Sequence, residues 1–246
     1  MNIQELASWC DDYLEAARFE DYCPNGLQVE APGEVRRLVS GVTASLELIE
    51  AAIELQADAL LVHHGYFWKG EAQPLTGMKG RRVRQLFAHG ISLLAYHLPL
   101  DAHPEVGNNA GLGRALGLRG APIDEGSLVW GAALDAPASA AAIAARLGGL
   151  LGREVLQLGE DRPVSRLAWC TGAAQGYIEK AAGAGFDAFV SGEVSEQTYH
   201  QALELGIAYL AAGHHATERF GVQALGERIA AEFGLAHHYV DLKNPV

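Results

Sequence analysis

At residues 60–69 the sequence reads LLVHHGYFWK, a short apolar run that ends in two adjacent histidines and a glycine. This order is typical of a buried strand that stops at a polar site. Neutral imidazole is the commonest metal ligand in proteins, so His63 and His64 suggest a metal site. Adjacent side chains of a strand point to opposite faces, so a shared site would require a local twist or two separate centres. Two ordinary polar residues at a strand end are the alternative.

Strands and helices alternate on both sides of this stretch. Apolar runs predict strands at residues 38–42, 59–62, 91–96, 128–134, 154–158, 167–171, 188–191, 207–211 and 237–242. Periodicity and helix propensity predict helices at residues 3–18, 45–56, 81–89, 108–116, 138–147, 177–184, 195–205 and 217–233. The alternation predicts an α/β fold with mainly parallel sheets.

The two halves of the chain resemble each other. Asp58, just before the strand that ends in the two histidines, matches Asp187, which lies 129 residues later. The next strand follows Gly90 in the first half and Gly206 in the second, which are 116 residues apart. The second spacing is shorter than the first by the length of the loop at residues 67–79, which the second half lacks. We therefore predict an internal duplication, with one α/β half at residues 1–125 and the other at residues 126–246.

Composition excludes several classes of protein. The chain has 246 residues, of which 49% are apolar, enough for a full core. A net charge of −12 argues against nucleic acid as the main partner, because phosphate contacts need clustered Lys and Arg. A nucleotide ligand stays compatible, because bound cations can offset negative charge. No apolar run is long enough to span a membrane. We expect a cytoplasmic protein, because the N-terminus lacks signal-peptide features and the three cysteines lack C-x-x-C spacing.

Histidines and acidic residues follow several of the predicted strands. His63 and His64 end one strand, and Asp101 follows the next. His214 follows the corresponding strand of the second half, and Glu218 comes four residues later, a spacing that places both side chains on one helical face. Ligands of open α/β sheets bind beyond the carboxyl ends of the strands, so we predict one site shared between the halves. Three imidazoles and two carboxylates exceed the needs of one catalytic zinc and suit two divalent ions, with Zn, Mn, Fe and Ni all compatible.

Five motifs together resemble the Nif-three-like family, whose members are often called GTP cyclohydrolase 1 type 2 homologues. The motifs are NGLQV at residues 25–29, VHHG at 62–65, HLPLD at 97–101, SGE at 191–193 and GHHATE at 213–218. The resemblance covers the whole chain, and the length is similar to the short bacterial form, of which YbgI is the type. It implies two interlinked α/β halves, a ring-shaped homohexamer and a dinuclear metal centre. It also implies that the metal ligands are His63, His64, Asp101, His214 and Glu218.

The remaining candidates have open alternatives. His97 could orient Asp101 or a substrate, or it could be a plain histidine at a strand end. Glu193 matches His64 in the duplication and could be an acid or general base near the site, or a helix cap. The aromatic residues 66–68 could stack on a purine, although aromatic residues beside a site more often serve packing. His215 is assigned to packing or solvent.

Two functions are compatible with these residues. The first is a metal-dependent hydrolase that acts on a nucleotide-like small molecule; the resemblance implies hydrolytic opening of a purine imidazole ring with release of formate. A phosphoester would be an alternative substrate of the same site. The second is a non-enzymatic metal-binding or partner-binding ring with a structural or regulatory role. Open ligand positions that face a cavity would favour the enzyme, and a closed ligand shell would favour the second function.

Overall fold

The computed structural model describes residues 1–246, which form two compact units. The first unit contains residues 1–107 and 221–243, and the second contains residues 108–220 and 244–246. This division differs from the predicted break after residue 125, because most of the last long helix and the final strand pack with the first sheet. None of the helices combines the length and the apolar character needed to cross a membrane.

Strands and helices alternate along the chain, as predicted. The strands are β1 (Gly26–Val29), β2 (Arg37–Thr43), β3 (Ala59–His64), β4 (Ser92–Ala95), β5 (Ala121–Pro122), β6 (Trp130–Ser139), β7 (Leu156–Leu158), β8 (Pro163–Cys170), β9 (Ala188–Ser191), β10 (Ala208–Ala211) and β11 (Ala236–Tyr239). The α-helices are α1 (Ile3–Tyr13), α2 (Leu46–Glu54), α3 (Gly77–Ala88), α4 (Leu98–Ala102), α5 (Asn108–Ala115), α6 (Ala140–Leu151), α7 (Ile178–Gly183), α8 (Glu196–Leu205), α9 (His214–Thr217) and α10 (Arg219–Phe233).

The first unit is a five-stranded sheet with helices packed on it. Its strand order is β1-β4-β3-β2-β11, and every pair is parallel except β1 with β4. Leu60 and Leu61 of β3 are both fully buried, Leu60 among residues of α2 and α3 and Leu61 among residues of α1 and α10. A strand covered on both faces needs an unbroken apolar run, which is the pattern that precedes His63 in the sequence. Ser45 caps α2 by accepting from the N–H of Leu48.

The second unit is a six-stranded sheet in the order β5-β6-β8-β9-β10-β7. Its centre, β8-β9-β10, is parallel, and the outer pairs are antiparallel. The α/β class and the mainly parallel arrangement are confirmed for the strands that carry the candidate site. Trp169 of β8 is fully buried and donates its indole N–H to the carbonyl of Asn109, which ties this strand to α5.

The strand register repeats between the units. Leu38 lies opposite Ala59 in the pair β2–β3, and Leu167 lies opposite Ala188 in the pair β8–β9. These positions differ by the predicted 129 residues. Ala59 lies opposite Ser92 in the pair β3–β4, and Ala188 lies opposite Ala208 in the pair β9–β10. Ser92 and Ala208 differ by the 116 residues found in the sequence. The duplication seen in the sequence is therefore also present in the strand pairing of the two sheets.

Several local elements differ from the sequence-based expectations. The helix predicted at residues 217–233 begins at Arg219 as α10, Thr217 ends the separate short helix α9, and Glu218 lies between the two with φ −106° and ψ 9°. Residues 98–102, for which no element was predicted, form the short helix α4, for which Pro99 is well suited because proline is tolerated in the first turn. The edge strand β1 was not predicted, because its four residues are too few for a clear alternating pattern.

Candidate metal centre

The end of β3 places two imidazoles side by side in the first unit. His63 is fully buried and His64 half-buried, and their ring centres are 4.6 Å apart. Nδ1 of His63 lies 2.8 Å from the carbonyl oxygen of Tyr96, and Nδ1 of His64 lies 3.1 Å from Oγ1 of Thr43. When Nδ1–H donates to such an oxygen, the ring orientation is fixed and Nε2 becomes the coordinating nitrogen.

A carboxylate and a third imidazole lie beside this pair. Asp101 of α4 is 6% exposed, and its Oδ1 is 3.5 Å from Nε2 of His63. The ring centre of His97, which precedes α4, is 5.1 Å from that of His63 and 5.8 Å from that of His64. The ligand atoms of the three histidines all lie within 4.8 Å of one another. The structure therefore brings together the site residues predicted in the first half.

His97 is held by a carboxylate that the sequence analysis missed. Oδ1 of Asp21 is 2.7 Å from Nδ1 of His97, and Oδ2 accepts from the side chain of Asn25 and the N–H of Leu98, both at 2.9 Å. Burial opposes the negative charge, but these hydrogen bonds and the imidazole outweigh it and lower the pKa of Asp21 to about 2. Asn25 also accepts from the N–H of His97 at 2.7 Å. The nearest signal in the sequence was the motif NGLQV at residues 25–29, which begins after Asp21 and assigns it no role.

In the second unit, one imidazole lies between two carboxylates. Nε2 of His214 is 3.0 Å from Oε2 of Glu218, so the two side chains lie on the same side of the turn, as their spacing predicts. Nδ1 of His214 is 2.7 Å from Oε1 of Glu193. Burial disfavours the imidazolium, but the hydrogen bonds and charges of Glu218 and Glu193 outweigh it and raise the pKa of His214 to about 9. Glu218 itself is 2% exposed.

A glycine after β8 makes room for this buried carboxylate. Gly172 has φ +70°, and a Cβ atom there would lie 2.1 Å from Oε1 of Glu218. Its N–H donates to Oγ1 of Thr217 at 3.1 Å, and that hydroxyl donates in turn to the carbonyl of Gly213 at 2.9 Å. The loop that follows β8 is thus fixed against the segment that carries His214 and Glu218.

The donor sets in both units fit a divalent metal ion. Two ligand atoms that are each about 2.0–2.1 Å from one tetrahedral ion lie roughly 3.3 Å apart. The separation between His63 Nε2 and Asp101 Oδ1 is 3.5 Å, and that between His214 Nε2 and Glu218 Oε2 is 3.0 Å. Buried carboxylates are stable when they are paired or coordinate a metal. Nitrogen and oxygen donors suit Zn, Mn, Fe and Ni. The number of ions, their identity and the five ligand roles stay predictions.

The structure resolves some of the open alternatives. Glu193 contacts His214 and does not cap α8, whose capping box is formed by Ser195 and Thr198. Tyr66 is 3% exposed and its hydroxyl donates to the carbonyl of Ala44 at 2.7 Å, which is a packing role. His215 is buried, in agreement with packing.

Comparisons with known proteins agree with this fold. The sequence model of the family described as Duf34/NIF3 (NGG1p interacting factor 3) matches residues 1–245. A protein named GTP cyclohydrolase 1 type 2 homolog from Allochromatium vinosum is 56% identical over 99% of this chain and 97% of its own length. A protein with the same name from Pseudomonas aeruginosa is 54% identical over 99% and 98%, respectively. A solved structure described as protein ybgI, of unknown function, is 46% identical over the whole of both chains, with a TM-score of 0.96.

Proposed function

Because this chain belongs to the Duf34/NIF3 family, we propose that it is a metal-dependent hydrolase that acts on a nucleotide-like small molecule. The proposal rests on the observation that the protein holds three imidazole rings in a defined orientation. In His63, His64 and His214 alike, Nδ1 lies within hydrogen-bonding distance of an oxygen of the protein. The Tyr96 carbonyl and the Glu193 carboxylate can only accept, which favours a proton on Nδ1 and presents Nε2 of His63 and His214 as the ligand atom. The Thr43 hydroxyl holds the ring of His64 in place. The relatives' name, GTP cyclohydrolase 1 type 2 homolog, supports a purine nucleotide as substrate.

In this proposal, His63, His64, Asp101, His214 and Glu218 would hold two divalent ions per chain. Bound ions would supply Lewis-acid activation of a water molecule and stabilise negative charge that develops on the substrate. Glu218 and Asp101 would contribute negative charge to the ions, which suits hard divalent cations. Glu193 orients His214, as Asp21 orients His97. His97, fixed in this way at the imidazole cluster, is our candidate for proton transfer to or from the substrate.

The test is an activity screen of metal-loaded protein with GTP, other nucleotides and phosphoesters. Formate release would identify opening of the purine imidazole ring, and phosphate release would identify a phosphoester substrate. Glu218→Gln serves as the control for contaminating hydrolases and should lack the activity. Tight binding of two ions without turnover of any substrate class would contradict the hydrolase and support the non-enzymatic structural or regulatory role.

We also propose that the protein is a homohexameric ring in the cytoplasm. The ring is what the resemblance to this family implies, and the three free, buried cysteines Cys10, Cys23 and Cys170 support a reducing compartment. Light scattering at micromolar concentration tests the ring, and a stable monomer there would contradict it. Fractionation of the producing cells tests the compartment, and recovery in a membrane or secreted fraction would contradict it.

A further inference from the structure

The loop at residues 65–76, between β3 and α3, has a fixed conformation and no counterpart in the second unit. Gly65 is required at its start, because a Cβ atom there would lie 2.2 Å from Oε1 of Gln28. That oxygen accepts from the N–H of Tyr66 at 2.7 Å, and the Gln28 amide donates to the carbonyls of Tyr66 and Pro24 at 3.1 and 2.8 Å. The loop is therefore anchored on the segment that contains β1 rather than simply connecting two elements.

Within this loop, three donors converge on one carboxylate. Phe67 has φ +66°, a left-handed conformation that is uncommon for a bulky residue. Its N–H and that of Trp68 both donate to Oε2 of Glu71, at 2.7 and 3.2 Å. The ammonium of Lys79, which is 8% exposed, lies 3.4 Å from Oε1 of the same residue. Successive N–H groups around a left-handed residue form a concavity that binds anions, and here the anion comes from the chain itself.

A cavity adjoins this concavity, and one of its lining residues contacts the imidazole cluster. It has a volume of about 500 Å³ and is lined by residues of the loop and by Lys79. One lining residue, Trp68, packs edge-on against His97 with ring centres 5.0 Å apart, and its ring centre is 5.9 Å from that of His64. Lys69 adds an exposed positive charge. The cavity thus combines an aromatic surface, two lysines and an anion-binding concavity beside the candidate metal ligands.

We propose that this cavity is the recognition subsite for a nucleoside phosphate, whose phosphate group replaces the Glu71 carboxylate in the concavity while its planar ring stacks on Trp68. The proposal rests on the proposed function and names its substrate class. The Glu71 side chain is 32% exposed, so it can turn outward into solvent. A phosphate carries more charge and more acceptor oxygens than the carboxylate it displaces. Backbone strain such as that of Phe67 clusters at ligand-binding sites, where it preorganises the contacts.

Calorimetric titration with GMP, guanosine and ribose 5-phosphate separates the contributions of ring and phosphate. Glu71→Gln keeps an acceptor for the loop but removes the competing charge, so we expect GMP and ribose 5-phosphate to bind at least about tenfold more tightly. Lys79→Met should weaken both by a similar factor. Trp68→Leu should weaken GMP and guanosine by roughly tenfold and leave ribose 5-phosphate unchanged. Glu34→Gln, which removes one negative charge elsewhere in the same unit, should match the parent.

Unchanged phosphate affinity in Glu71→Gln, with its melting transition intact, would overturn the proposal and make Glu71 a permanent structural contact. If that variant does not fold, parent crystals soaked with GMP give the answer. Phosphate oxygens beside the N–H groups of Phe67 and Trp68, with Glu71 displaced, would support the subsite. Glu71 still in place, or phosphate bound elsewhere, would overturn it.

The same titrations on metal-loaded and EDTA-treated protein separate this proposal from the proposed function. Binding that responds to Glu71→Gln and Trp68→Leu in both forms would support the subsite even if no hydrolysis were found. Hydrolysis of a nucleotide that is indifferent to these substitutions would support the hydrolase and overturn the subsite.

Discussion

The two units share a scaffold down to single hydrogen bonds. In the first, Oδ2 of Asp58 accepts from the N–H groups of Arg36 and Arg37, both at 2.8 Å. In the second, Oδ2 of Asp187 accepts from Ser165 and Arg166, also both at 2.8 Å. Each of these carboxylates joins the start of one strand to the strand that pairs with it. The aspartate that joins these paired strands is therefore the same residue type in both halves of the duplication.

The strand ends, in contrast, have diverged completely. Where the first unit has His63 and His64, the second has Gly192 and Glu193; where the first has Leu98 and Ala102, the second has His214 and Glu218. Thr43 contacts His64, whereas its counterpart, Gly172, leaves space for Glu218. The first unit supplies three imidazoles and an aspartate, and the second supplies one imidazole between two glutamates. Neither donor set repeats the other, so the strand ends of the two units offer different candidate ligands.

The largest expected effect comes from a substitution that removes a candidate metal ligand of the second unit. Glu218→Gln keeps the size of the side chain but removes its charge and one anionic oxygen. We expect zinc affinity to fall by more than the roughly 10–100-fold typical of changes around a ligand, and hydrolysis to fall with it. The fold should survive, because the core is apolar. Metal titration and circular dichroism measure both.

The control is the adjacent His215→Gln, to which we assign no ligand role. It should bind zinc as the parent does. Two ions bound as tightly in Glu218→Gln as in the parent, or metal loss confined to His215→Gln, would show that this segment has been assigned wrongly.

The shared scaffold predicts the next effect, which should be equal in both units. Asp58→Ala and Asp187→Ala each leave two N–H groups without their charged acceptor, so we expect each to lower the free energy of unfolding by about 2 kcal/mol. Hydrogen exchange of β2–β3 and of β8–β9 reports the loss unit by unit. A large effect at one aspartate and none at the other would contradict the equivalence of the two strand pairs.

The repeated arrangement of strands could be predicted from the sequence because the signals that mark it are local. Apolar runs mark the strands, and aspartates at a fixed offset mark the repeat. The pairing of His214 with Glu218 was predictable for the same reason, since a spacing of four residues brings side chains together on any helical turn.

The residues that orient the imidazoles were not predictable from the sequence. Asp21 reaches His97 across 76 positions, and Thr43 reaches His64 across 21, contacts that only the folded sheet creates. Glu71 was hidden for another reason: it lies in a polar loop without periodicity, and its contacts depend on the left-handed conformation of Phe67. Tertiary contacts and unusual backbone angles leave no pattern in the residue types.

A third, smaller effect tests how the first unit fixes its ligands. Thr43→Val keeps the shape of the side chain and removes the hydroxyl beside Nδ1 of His64. We expect zinc affinity to fall by about tenfold, the lower end of the range for such partners, because the contact is made by a neutral group. Thr43→Ser keeps the hydroxyl and should bind like the parent. Equal losses in the two variants would indicate a packing effect and not orientation of the imidazole.

The smallest effect concerns the proton on the imidazole of the second unit. The pKa of His214 is about 9, so in the metal-free protein near neutral pH this ring carries a proton that a bound metal must displace. We expect zinc binding to release close to one proton from His214 at about pH 7.5 and progressively less as the pH approaches 9, with affinity rising by less than about tenfold per pH unit. Folding stability changes with pH in the opposite direction to zinc affinity. The raised pKa of His214 stabilises the metal-free protein below pH 6.5, and that contribution is lost as the pH rises through about 9. Calorimetry in buffers of different ionisation enthalpy counts the protons. Glu193→Gln removes one of the charges that raise the pKa, so its proton release should decline at lower pH than in the parent, and identical curves would contradict this account of the second unit.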